Sequence, residues 1–178
     1  MGYSRISLTL GNTVGIVGAI FALYLLIMTE SIQNHFLQFI LYLLSLACLV
    51  FFPHCLAHFL VGRVVGIRFR YYFLGRSGVA RLHLPLVSKL AAALPVLTLK
   101  INSASLASVS HARRAVMFAS GAVASMLLPS VPAIVSLSRL SVTQSVLIFL
   151  LVGFNVAFDL YYGPKAGDIA RARSSLSA

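Results

Sequence analysis

The sequence predicts an all-α polytopic membrane protein: about four transmembrane helices, with a short β-like cytoplasmic segment after the second. Three observations lead there. Of 178 residues, 60% are hydrophobic and only 10% charged, with a mean hydropathy of +0.96, more apolar than a water-soluble domain of this size sustains. Apolar runs recur at the ~20 residues that a helix needs to cross a bilayer core. The basic residues gather in alternate connections, as orientation by the positive-inside rule requires.

Taken in order, the first run covers about 12–29 (NTVGIVGAIFALYLLIMT). Arg5 precedes it as in a signal peptide, but the following MTESIQN offers no small-x-small cleavage site, so a retained anchor is expected. The second run covers about 36–62 and contains Pro53. Residues 63–114 form a long connection. Its first part, VVGIRFRYYFLG, alternates and is rich in β-branched and aromatic residues, predicting one or two short strands with a turn at Gly75 to Gly78. The following apolar stretch is broken by Pro85, Lys89 and Pro95; residues 84–100 therefore read as an interfacial or re-entrant segment, with a fifth span as the alternative.

The third run, about 115–137, carries MFASGAVASMLLP, in which Ser120, Gly121, Ala122, Ala124 and Ser125 form a small-residue surface for close helix approach. Pro129 and Pro132 are expected to kink it. The fourth, about 143–162, ends in Tyr161 and Tyr162, suited to the interfacial aromatic belt. The Ser-rich tail, 173–178, is expected to be disordered. The whole chain, 1–178, reads as a single membrane domain.

Orientation follows from charge. Nine of the fourteen Lys and Arg residues lie between Arg63 and Arg114, and Lys165, Arg171 and Arg173 follow the last helix. With Arg5 at the N-terminus, Arg139 alone remains for the opposite side, so both termini are expected in the cytoplasm. The net charge of +11 then expresses topology and attraction to anionic lipid headgroups; no nucleic-acid-binding motif accompanies it. Cys48 and Cys55, seven apart on one helix and so roughly 10 Å apart along its axis, do not form a disulfide with each other.

One stretch points to chemistry. FFPHCLAHFLVG, residues 51–62, carries His54 and His58 at i and i+4, on one helix face, where two imidazoles can share a metal ion. A zinc site needs a third protein ligand, and the chain has three carboxylates, Glu30, Asp159 and Asp168. Glu30 belongs to the outer side. Asp168 follows the last span, where the chain returns to the membrane face on which the histidine helix ends. Asp159 lies inside the apolar segment GFNVAFDLYY, where an ionisable group costs a few kcal/mol without a partner; Arg113, Arg114 or a helix-end donor are candidate partners. Asn155 is expected to bond across helices.

A helix ending in His-x-x-x-His, a β-like stretch after it, a small-residue helix with FASGAVAS, and a final helix leading to GPKAGDI together resemble the site-2 protease family of intramembrane zinc metalloproteases. The resemblance spans about residues 45–172. It implies zinc held by His54, His58 and Asp168 near the cytoplasmic face, Gly121 to Ser125 at the family's GPxxN segment, and a membrane-protein substrate. Three positions depart from the pattern. Cys55 stands where HExxH has its general-base glutamate, Ile169 follows the aspartate where the family has Gly, and Ser125 replaces the Asn. A thiol is a poor proton acceptor, so the resemblance implies either a weak or inactive peptidase or a non-catalytic relative that binds or regulates membrane proteins. Asp159 is the carboxylate left to serve as an unusual base or as a histidine's partner.

Overall fold

The structure, a computed structural model, describes residues 5–76 and 95–177. Strand β1 (Arg5–Ile6) leads into α1 (Leu8–Met28), closed by a 3₁₀ turn at Thr29–Ser31, and α2 runs over His35–Val64. Strands β2 (Phe69–Arg76) and β3 (Pro95–Ile101) follow, then a short helix α3 (Ser103–Ala107), α4 (His111–Leu127), α5 (Ser130–Ser136), α6 (Val142–Ala166) and α7 (Asp168–Leu176). Among the described residues, four segments are long and apolar enough to span a membrane: Leu8–Ser31, His35–Val64, His111–Ser136 and Val142–Lys165. The chain is a multi-pass helical membrane protein with a small sheet.

The spans start earlier than the apolar runs because polar caps set their ends. Ser7 accepts from the Leu10 amide at 3.1 Å, Asn34 from Leu37 at 3.1 Å, and Ser141 forms a capping box with Gln144. Helix α2 ends in a Schellman turn: Ile67 N–H reaches the Gly62 carbonyl at 2.7 Å and Gly66 that of Arg63 at 3.3 Å. Gly66 adopts φ 95°, a left-handed conformation natural to glycine. The third span breaks at Leu128–Pro129, between α4 and α5, because proline cannot donate to the helical ladder.

The sheet has the order β1-β2-β3, antiparallel throughout. Residues 95–100, expected within an interfacial or re-entrant segment or a fifth span, instead form most of β3, its Leu97 paired with Leu74; the rest of 84–100, and the end of the turn expected at Gly75 to Gly78, lie outside the described residues. Tyr72 of β2 is buried against Gly11 of α1 and its hydroxyl donates to Asn12 Oδ1 at 2.7 Å, tying the sheet to the first span. Burial pushes its phenol well above the ordinary value, which keeps it a donor. Helix α7 reaches Leu176, so most of the tail expected to be disordered is helical; Ala172 is buried in its packing.

Among the described residues, three apolar clusters hold the bundle. Leu26, Tyr42, Ala133, Ile148 and Val152 pack at one end, Ala22, Cys48 and Leu49 between α1 and α2, and Ile67, Phe69, Val109 and Met117 under the sheet. At the end away from the sheet, Arg139 pairs with Glu30 at 2.8 Å.

Candidate metal centre

His54 and His58 project from one face of α2, one turn apart as the i, i+4 spacing dictates. Asp168 is the first residue of α7, a position where the helix dipole favours a carboxylate. The corner that delivers it is close-packed: a Cβ at 167 would rest on the Gly163 backbone at 3.4 Å, and any side chain at 163 would meet Ile169. As a result Asp168 Oδ2 lies 3.0 Å from His54 Nε2 and 3.1 Å from His58 Nε2. The three ligand atoms all fall within 4.8 Å of one another, and the group could hold a metal ion.

Hydrogen bonds on the far side of each ring decide which nitrogen faces Asp168 bare. His58 Nδ1 lies 2.8 Å from the Met117 carbonyl, which only accepts, so Nδ1 carries the proton. His54 Nδ1 lies 2.8 Å from Ser125 Oγ, and that hydroxyl donates to the Val50 carbonyl at 3.0 Å, so Ser125 accepts from His54. In the neutral rings both Nε2 atoms are then lone pairs aimed at a carboxylate oxygen, three acceptors with no donor among them. Such a cluster needs positive charge at its centre. One proton bridges one of the two contacts; one divalent cation satisfies all three. Tetrahedral ligands at ~2.0–2.1 Å from zinc are separated by roughly 3.3 Å, close to the contacts seen here.

Packing fixes the rings as well. Gly121 of α4 faces the His58 imidazole so closely that a Cβ there would overlap the ring, Nε2 nearest. His58 is buried, at 8% exposure. The rings of His54 and His58 meet edge to face, 4.9 Å between centroids. Asn155 of α6 donates to the Ser125 carbonyl at 2.9 Å, a bond across helices that braces the residue carrying His54. Burial disfavours the charge of Asp168, but rings that carry a proton on Nε2 donate to it, outweigh the burial and hold its carboxyl well below the usual carboxylate range in the metal-free protein; Arg171 adds a looser contact at 3.7 Å.

The remaining residues singled out by sequence divide. The Cys55 thiol lines the same cavity as the ligand group but is not one of the three converging ligands, and it donates to the Leu97 carbonyl of β3 at 2.9 Å; neither cysteine forms a disulfide. Asp159 lines the same cavity of about 900 Å³ as His54, His58 and Asp168 and makes no ion pair among the described residues. Arg114, one partner considered for it, donates instead to the Ala107 and Val109 carbonyls. The Met117 carbonyl and the Cys55 link to β3 were not legible in the sequence, since neither a backbone acceptor nor a distant strand pairing leaves a residue-type signal. Comparison of the chain with protein-family models, with curated proteins and with solved structures finds no match in any of the three.

Proposed function

We propose that this protein is a site-2-protease-like intramembrane metalloprotein, its zinc held by His54, His58 and Asp168, with weak or no peptidase activity because Cys55 occupies the general-base position. The observation that carries this reading is the convergence of two Nε2 lone pairs and one carboxylate oxygen from distant parts of the chain. Two imidazoles and a carboxylate, with room for a further ligand on the cavity side, are the donor set of a catalytic rather than a structural zinc site. Zinc, when bound, supplies a Lewis acid that polarises a carbonyl and acidifies water. The chain's own groups orient the donors: Ser125 and Met117 hold the imidazoles by their Nδ1 hydrogens, an arrangement that fixes ring tautomer and ligand basicity.

The Cys55 bond to Leu97 favours the second reading, a non-catalytic relative that binds or regulates membrane proteins. It commits the side chain at the base position to tying α2 to β3. Under either reading both termini and the metal site face the cytoplasm, the basic loops lie against anionic headgroups, the client is a membrane protein, and nucleic acid is not a partner. Metal analysis of purified protein in detergent tests the proposal: zinc close to one per chain is expected in the wild type and lost in Asp168→Ala and in the His54→Ala, His58→Ala double variant. Equal zinc in all three overturns it.

A further inference from the structure

The carboxylates of this chain have unequal commitments. Glu30 is paired with Arg139 at the far end of the bundle, and Asp168 is engaged by both histidines. Asp159 is half-buried in a membrane span and has neither ion pair nor hydrogen bond among the described residues. A carboxylate in a span costs a few kcal/mol, which packing gives no reason to sustain.

Its direction is fixed by its neighbours. Asn155, Asp159, Tyr162 and Gly163 follow one another at i, i+4, i+7 and i+8, one face of α6, and all line the cavity that His54, His58 and Asp168 line. Asn155 anchors that face to the Ser125 carbonyl, and Ser125 carries His54. Asp159 is thus one turn from the brace of the histidine site, on the side leading toward Asp168. It is not among the three converging ligands, and so faces the cavity as a free acceptor. Cys55, one residue from His54, is committed to Leu97.

We infer that Asp159 is the proton acceptor for water held at the His54, His58 and Asp168 site, filling from a different helix the role left open at Cys55. The inference rests on the metal-site reading above. In the step, the Asp159 carboxylate takes one proton from water while the water oxygen bonds to the carbonyl carbon of an extended peptide. The C–N bond then breaks and Asp159 returns the proton to the departing amine. One water is consumed, nothing is oxidised or reduced, and the carboxylate is regenerated.

The test uses the full chain in detergent micelles, loaded with zinc or cobalt, with internally quenched peptides of apolar extended core as the probe. Wild type is expected to cut slowly. Asp159→Asn should keep its metal but cut at least about 100-fold more slowly, the usual contribution of a positioned base, and Asp159→Glu should recover part of the rate. The visible absorption of the cobalt protein, which senses groups bonded to solvent at the metal, should change in Asp159→Asn and not in Cys55→Ser. Cleavage by Asp159→Asn at the wild-type rate overturns the inference. So does a zinc-loaded wild type that cuts no peptide and a cobalt spectrum indifferent to Asp159→Asn. Wild-type protein that holds no metal refutes the metal-site reading itself, and metal content therefore tells the two failures apart.

Discussion

Replacing Gly121 by alanine adds a single methyl group, and the geometry makes that methyl a probe of the metal site. A Cβ at 121 would overlap the His58 ring, with Nε2, Cε1 and Cδ2 as its nearest atoms. To regain ordinary van der Waals separation the ring must retreat by on the order of 1 Å. It has little freedom to do so, because its Nδ1 is held by the Met117 carbonyl at 2.8 Å and the side chain is buried. Overpacking of this kind costs about 1–3 kcal/mol. The site tolerates far less movement, since metal–ligand distances hold to within about 0.2 Å. Zinc affinity should therefore fall by at least about 10- to 100-fold, the loss typical of disturbed ligand support. Gly18→Ala is the control: its Cβ would strike the Phe52 ring, a comparable packing fault that moves no ligand. Competition against a chelator measures both variants, with circular dichroism to check the fold. Zinc affinity in Gly121→Ala equal to wild type, in a folded protein, would refute the reasoning.

Further outcomes follow from the same contacts. Ser125→Ala removes the acceptor for His54 Nδ1 and should weaken zinc binding about 10- to 100-fold in the chelator assay. Cys55→Ala removes the bond to Leu97; it should cost about 1 kcal/mol of stability in denaturant titration while leaving zinc content unchanged. Asp168 has a lowered folded-state value, so its stabilising contribution is present above the ordinary carboxylate value of about 3.9 and is lost only as pH falls through the lower folded one. Hydrogen exchange of α7 in metal-free protein should accordingly stay slow as pH is brought down through 4 (roughly the ordinary value), and Asp168→Asn should exchange faster at neutral pH.

Much of the architecture was legible because apolar length and basic loops are local signals. Helix termini were not: Ser7, Asn34 and Ser110 start helices before the apolar run begins, and Arg113 and Arg114, read as part of a loop, lie in the first turn of α4. Strand β3 was hidden although Leu97 and Leu99 alternate with Thr98 and Lys100, because the run is short, opens on Pro95 and gains its conformation from pairing with β2, a non-local contact. The Ser-rich tail lacks helix propensity, but the buried Ala172 shows tertiary packing overriding it. In the site, the i, i+4 spacing gave the histidines, and scarcity gave Asp168. The groups that orient the rings came from a serine read as packing and from a peptide carbonyl, which sequence spacing does not encode.

The central claim is that two imidazole nitrogens and one carboxylate oxygen close on a single cation while the neighbouring thiol stands apart. X-ray absorption of the zinc-loaded protein measures this directly. It should give a nitrogen and oxygen shell at ~2.0–2.1 Å with the outer scattering of two imidazoles and no sulfur at ~2.3 Å. A sulfur shell, or bound zinc without imidazole scattering, would contradict it.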